Sequence, residues 1–258
     1  MESPDKSFRL TFGAGDWRDQ TADGGTGLAF TDKSGHLEAL SFPKSAAADL
    51  PAFSAARLRA LRDALGGVEL AALTDHNSVR NCPAAAAAAA EYGIGFIPGI
   101  EVTTSEEIHC VCLLPDLGKA AAFSRWLDTL RPGIANRPNV FGRQTVIGSR
   151  GSRTEERELL FMARRISVNE LSRAVRQYSG LIWPAHVDKP SNSLYSILGC
   201  WPEDLDMDAV ELYYDTEPAG IPESVHRLRC SDAHRLWDIK GGYPLPLESA
   251  DFAGLKKY

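Results

Sequence analysis

Short apolar runs recur along this chain, and most of them stop at a residue able to bind a metal or a proton. Val68–Leu73 ends in Thr74, Asp75, His76 and Asn77. Ile94–Ile100 ends on Glu101, and the run Ile108–Leu114 takes in His109. Gly180–Pro184 leads to His186, Ala209–Tyr214 follows, and a last strand runs into Cys230, Ser231, Asp232, Ala233 and His234. Compact apolar runs of this kind read as strands, and the stretches between them carry helical spacing. Phe53, Ala56, Leu58, Leu61 and Leu65 predict a helix over Pro51–Leu65, with Gly66 and Gly67 as its stop. Pro83–Tyr92 starts on proline, contains seven alanines and halts at Gly93. Gly118–Leu130 places Phe123, Trp126 and Leu130 on one side. Ser167–Tyr178 opens with the capping box Ser167-Val-Asn-Glu170, and a short helix near Phe252–Lys257 closes the chain. Six or seven strands alternating with helices predict an α/β protein, a closed or nearly closed parallel barrel with the polar residues at its C-terminal rim.

Two stretches break the rhythm. Residues 1–35 are rich in Gly, Asp, Thr and Lys and offer only short candidate strands, Ser7–Phe12 and Gly27–Phe30, so they read as an atypical extension or weak hairpin before a domain spanning 36–258. Residues 131–166 carry eight arginines and two prolines, with QTVI as a strand, and are longer than an ordinary barrel loop. This insert is expected to be a lid or a decorated hairpin. Its arginines could gather an anionic substrate, or could be solvated and balanced by Glu155, Glu156 and Glu158.

The formal charge of −6 argues against a broadly basic nucleic-acid surface and leaves room only for a local patch. Five cysteines with no CxxC pair suit a reducing compartment, and no run approaches the ~18 apolar residues of a membrane span, so the cytoplasm is the default. Cys110 and Cys112 alternate with His109 and read as core thiols; Trp126, Trp183 and Trp201 read as packing. His226, in the helix-like stretch ESVHRLR, is expected to face solvent.

Six candidate ligands follow strands or open them: His76, Glu101, His109, His186, Asp232 and His234. Imidazole and carboxylate donors suit Zn, Mn or Fe. A carboxylate such as Glu101 can bridge two cations, and two metals about 3.5–4 Å apart can hold both oxygens of a phosphoryl transfer. In order along residues 52–258, ALTDHNS, IPGIEVTT, EIH, PAHVDKPS and CSDAH resemble the motifs of the PHP family, the polymerase and histidinol phosphatase domain. The resemblance implies a distorted (β/α)7 TIM-like barrel with up to three divalent metals, used for phosphoester hydrolysis. It implies that Glu101 bridges the first two metals, with Asp232 on the first. His109 and His186 complete the second, and His76 and His234 hold the third. Asp75 is expected to orient an imidazole from behind the ligands.

The chain departs from that family at its start. The family opens with Asp-Leu-His-x-His on its first strand, and this chain has no HxH. The nearest counterpart is His36-Leu-Glu38, where Glu38 would supply oxygen in place of the second imidazole. An alternative alignment on Asp49-Leu50-Pro51-Ala52-Phe53 deletes both ligands. The expected activity is metal-dependent hydrolysis of a phosphomonoester or nucleotide phosphoester by metal-activated water. Glu101, Asp232 and His234 would carry the chemistry, and Lys189, Arg80 or Arg235 would neutralise the phosphate. The expected partner is a small phosphorylated substrate or nucleotide, with no membrane. Two rival readings are a degenerate barrel that binds metal or ligand without catalysis and an exonuclease on single-stranded ends. Nothing in the sequence decides the oligomeric state.

Overall fold

In the computed structural model, residues 18–19, 27–32, 35–40, 68–148, 152–214, 216–230, 232–234 and 244–258 are described, the first three segments as backbone alone. They fall into two units, Met1–Leu58 and Arg59–Tyr258. The described residues of the first unit form three antiparallel strands, β1 (Arg18–Asp19), β2 (Gly27–Asp32) and β3 (Gly35–Leu40), in that order across the sheet. Only two residues separate β2 from β3, which permits a hairpin and no crossover. The boundary expected between residues 35 and 36 therefore falls inside β3. His36 and Glu38 occupy alternate positions on that strand, opposite Thr31 and Ala29. The expected strand Ser7–Phe12 and helix Pro51–Leu65 lie outside the described residues.

The second unit runs β4 (Leu70–Leu73), α1 (Cys82–Glu91), β5 (Gly95–Thr103), β6 (His109–Leu113), α2 (Leu117–Asp128), α3 (Pro138–Phe141), β7 (Thr145–Ile147) and β8 (Arg153–Glu155). It continues with α4 (Val168–Gln177), β9 (Leu181–Pro184), α5 (Leu194–Leu198), β10 (Ala209–Leu212), β11 (His226–Arg229) and α6 (Phe252–Lys257). Local chemistry explains several boundaries. In α1, proline fills the first turn and alanines fill the body, while Gly93 follows at a φ of +64°. At α4 the predicted capping box forms: the Ser167 side chain accepts from the Glu170 backbone N–H, and the Glu170 side chain accepts from that of Ser167. His226 is exposed as expected but opens a strand, β11, in place of the expected helical turn; its ring packs 5.0 Å from that of Tyr258.

The main sheet has the order β4-β5-β6-β9, and β10 pairs with β11 beside it. β4 and β5 are parallel, as are β10 and β11, whereas β6 runs antiparallel to both β5 and β9. The expectation of an all-parallel arrangement is corrected here. Thr104–Ile108 is too short for the crossover of a dozen or more residues that a parallel β5–β6 pair would need, so the chain turns straight back. Backbone bonds from Asp208 N–H to Ile182 O (3.0 Å) and from Val187 N–H to Glu211 O (2.9 Å) place β10 alongside β9. The fold is mixed α/β, and the described residues do not form a closed barrel.

Strict alternation along these strands separates two apolar faces. Ile100, Val102, Cys110, Cys112 and Ile182 belong to a core shared with Phe123 and Leu127 of α2 and Leu171 and Val175 of α4. Ile97, Val111, Leu113, Leu181 and Trp183 point the other way and pack with Phe252 and Leu255 of α6. Cys110 and Cys112 are fully buried on the helix-covered face, where burial pushes both thiols up in pKa and keeps them protonated. Glu101 and His109 lie in register with the opposite face. The insert contains a hairpin, β7–β8, tied back to the unit by the Ile147 N–H, which donates to Asn81 Oδ1 at 2.8 Å. No helix among the described residues is long and apolar enough to cross a membrane.

Candidate metal centre

The reversal of β6 brings the site together. β5 ends at Thr103, which pairs with His109 at the start of β6, so the two strands meet at one rim. β9 reverses again: Pro184 pairs with Cys110, and Ala185 N–H donates to His109 O at 2.9 Å. His186 thereby returns to the same rim. His76 follows β4 and forms an isolated parallel bridge with Glu101, while Asp232 and His234 follow β11. All six candidate ligands line one cleft of about 160 Å³, and Lys189, Ser191 and Asn192 complete its wall.

Glu101 is the hub. Its Oε2 lies 3.2 Å from His76 Nδ1, and its Oε1 lies 3.0 Å from His109 Nδ1 and 3.4 Å from His186 Nε2. Despite these separations, His76 Nδ1 and Glu101 Oε1 are buried without a hydrogen bond. Buried polar atoms are rarely left so. Ligand atoms bound at about 2.0–2.1 Å in tetrahedral geometry lie about 3.3 Å apart, the spacing found here. One atom each from His76, Glu101 and His109 lie within 4.8 Å of one another. The orphaned atoms and the donor chemistry fit a divalent cation.

The electrostatics agree with a committed carboxylate. Burial acts to raise the pKa of Glu101, but the neighbouring imidazoles of His109 and His186 outweigh it and hold the carboxyl well below the usual range. For His76, burial dominates and lowers the pKa, favouring the neutral imidazole that a metal requires. His186 is also penalised by burial, yet Glu101 beside it raises its pKa on balance. Left-handed backbone clusters at the rim: His186 (φ 34°), Asp232 (φ 42°), Asn192 (φ 52°) and Asn77 (φ 50°) are all non-glycine. Such conformations persist only where surrounding contacts over-determine them.

The remaining expected residues are distributed unevenly. The Lys189 ammonium lies in the cleft, paired with the Asp232 carboxylate and 3.9 Å from the centre of the Tyr213 ring. His234 is more exposed; its ring lies 6.0 Å from that of His76, and its Nδ1 is 3.0 Å from Asp232 O. Arg80 does not line the cleft. Its guanidinium, expected at a phosphate, instead pairs with Glu156 of the insert and lies 3.8 Å from Asp128. The Asp75 carboxylate accepts from Asn81 Nδ2 at 2.8 Å, where an imidazole was expected. Arg235 and the side chains of His36 and Glu38 lie outside the described residues.

Sequence reading missed two residues around the site. Asn77 is fully buried; its Nδ2 donates to Leu160 O (2.6 Å) and Met162 O (3.1 Å), and its Oδ1 accepts from Thr103 N–H (3.2 Å). Glu211 is buried in β10, where desolvation raises its pKa to about 6 and Trp183 Nε1–H donates to it at 3.3 Å. A lone acid inside the apolar run AVEL was the available signal for Glu211. For Asn77 there was none beyond its place after His76.

The site is thus a cluster of imidazoles and carboxylates on a mixed α/β sheet, suited to a divalent metal. No family model and no curated protein matches the sequence. Among solved structures, the lesion-specific endonuclease PfuEndoQ of Pyrococcus furiosus aligns at TM-score 0.46 and 18% identity, over 78% of this chain and 49% of that one. An Endonuclease Q complex with a duplex carrying an abasic lesion aligns at TM-score 0.41 and 19% identity, over 64% and 39% of the two chains. A protein of Bifidobacterium adolescentis named as a metal-dependent phosphoesterase aligns at TM-score 0.42 and 15% identity, over 79% and 89%. The chain spans about half the length of PfuEndoQ.

Proposed function

We propose that this chain is a PHP-type, divalent-metal-dependent phosphoesterase. The observation that carries the reading is the Glu101 carboxylate, whose two oxygens lie 3.0–3.4 Å from three imidazole nitrogens while one of those oxygens remains without a hydrogen bond. Oε1 with His109 and His186 forms one ligand set, and Oε2 with His76 begins another, with His234 beside it and Asp232 at the cleft wall. A divalent cation held there supplies Lewis acidity towards a phosphoryl oxygen and activates water. The protein's own contribution is orientation and charge. Asn77 fixes the loop that carries His76, and Lys189 presents a cation in the cleft where a phosphate oxygen would lie.

The test is hydrolysis of bis(p-nitrophenyl) phosphate by protein stripped with chelator and reloaded separately with Zn, Mn and Fe. Saturable hydrolysis that requires metal and is lost in Glu101→Gln is expected. Hydrolysis that survives chelation, or that Glu101→Gln leaves intact, would contradict the reading. A second reading, metal binding without turnover, draws on the absent HxH: its nearest counterpart in the sequence, His36 and Glu38, falls on the antiparallel strand β3. Stoichiometric metal with no hydrolysis in any metal form would favour it.

A further inference from the structure

The insert presents a surface that the cleft chemistry does not explain. Phe141 and Phe161 are 40% and 45% exposed, and their rings meet edge to face at 5.6 Å. The Arg137 guanidinium sits 5.4 Å from the centre of the Phe141 ring. Exposed aromatics are costly in water unless something covers them, and these two are held apart from the core.

Charge on the insert is equally one-sided. Glu156 is buried against Arg80, and Glu158 is engaged by Arg131 at 2.9 Å, so neither balances the outer arginines. Among the described residues 131–166, Arg137, Arg143, Arg153, Arg157 and Arg165 are exposed against the single exposed carboxylate of Glu155. A chain of net charge −6 therefore carries a locally basic segment that includes two exposed aromatic rings, with Arg137 against Phe141 and Arg143 3.6 Å from Glu155. That segment is joined to the cleft. Leu160 O and Met162 O, which flank Phe161, are both held by the side chain of Asn77, the residue after His76.

The cleft itself is small. At about 160 Å³ it is below the range of roughly 300–1,000 Å³ typical of sites that engulf a whole ligand. A reacting phosphate fits; the adjoining cavity of about 680 Å³, which shares His76, Glu101, Asp232 and His234, is walled by apolar side chains such as Ile97, Val111, Leu113 and Trp183, so a charged backbone is better accommodated on the neighbouring surface. We infer that the insert is a binding face for single-stranded nucleic acid, on which Phe141, Phe161 and Arg137 stack a base while the outer arginines track the phosphates. Rings with a guanidinium offer stacking to any base, and spaced cations match a repeated anion. An acidic peptide shares the charge but has no bases to stack. The inference deepens the phosphoesterase reading and rests on it for the reaction, whereas binding is read without turnover.

The test uses the metal-loaded full chain and a fluorescein-labelled phosphorothioate oligothymidylate of about twelve nucleotides, which resists hydrolysis, followed by anisotropy across a salt series. Saturable, salt-sensitive binding is expected, weakened roughly tenfold or more in the double variant Phe141→Ala/Phe161→Ala. If that variant fails to fold, Arg143→Gln/Arg153→Gln decides: both sites are exposed, and the salt slope should fall by about 1.4. Absence of binding, affinity and slope unchanged in the folded variants, or equal competition by polyglutamate would overturn the proposal. Hydrolysis of bis(p-nitrophenyl) phosphate by the wild-type chain is measured alongside. Binding without hydrolysis would defeat the phosphoesterase reading and leave the nucleic-acid face standing.

Discussion

Asn77 is the residue on which the cleft and the insert both depend, and replacing it tests that dependence. Its buried side chain makes three hydrogen bonds, to Leu160 O and Met162 O (both part-buried) and to Thr103 N–H (buried), and its backbone N–H donates to Glu101 O at 2.8 Å. At φ 50° its backbone is left-handed, where asparagine is tolerated and alanine is not. Asn77→Ala strands three polar groups, worth about 1 kcal/mol each, and adds about 1 kcal/mol of backbone strain, for a loss of about 4 kcal/mol. Asn77→Gly loses the same bonds but relieves the strain, for about 3 kcal/mol. Either value is a large share of a domain's net stability. Urea unfolding followed by tryptophan fluorescence measures both, with the wild-type slope as the check on two-state behaviour. A loss under 1 kcal/mol in both variants would refute the argument from these bonds, and alanine tolerated better than glycine would refute the argument from left-handed backbone.

Further predictions concern the sheet and the buried acid behind the cleft. A methyl group added at Gly99 would lie 2.6 Å from Leu113 Cδ2 and 2.7 Å from Thr74 Cγ2, so Gly99→Ala should cost about 1–3 kcal/mol in the same assay and disturb the loop bearing His76. Glu211 holds its proton up to about pH 6 in the fold against an ordinary value of 4.5, so ionising it works against folding. That penalty is absent below about pH 4.5, grows as pH rises and is complete above about 6. Glu211→Gln, which keeps an acceptor for Trp183, should therefore stabilise the metal-free protein by roughly 2 kcal/mol at pH 7.5 and by nothing at pH 4. A stability gain that does not vary with pH would refute the assignment.

Much of the site was legible because its candidate ligands sit where apolar runs stop, and that pattern depends only on strand ends. His76, Glu101, His109, His186, Asp232 and His234 could be named from the sequence, and they share one cleft. Strand direction was not legible. Periodicity is the same for parallel and antiparallel strands, and only the length of Thr104–Ile108 betrays that β6 turns back. Long-range partners were equally hidden: Arg80 adjoins a ligand motif in sequence, yet Glu156, far along the chain, captures it. The eight arginines of the insert could be counted but not sorted, because which carboxylates turn inward is a property of tertiary packing.

We propose that Glu101 and its imidazoles hold a divalent metal. The most direct test is metal content per folded chain by elemental analysis, after purification without chelator and with Zn, Mn and Fe supplied. At least one equivalent is expected in the wild type and a marked loss in Glu101→Gln and in His109→Ala, with folding verified by circular dichroism. Metal near zero in the folded wild type, or content unchanged in both variants, would contradict it.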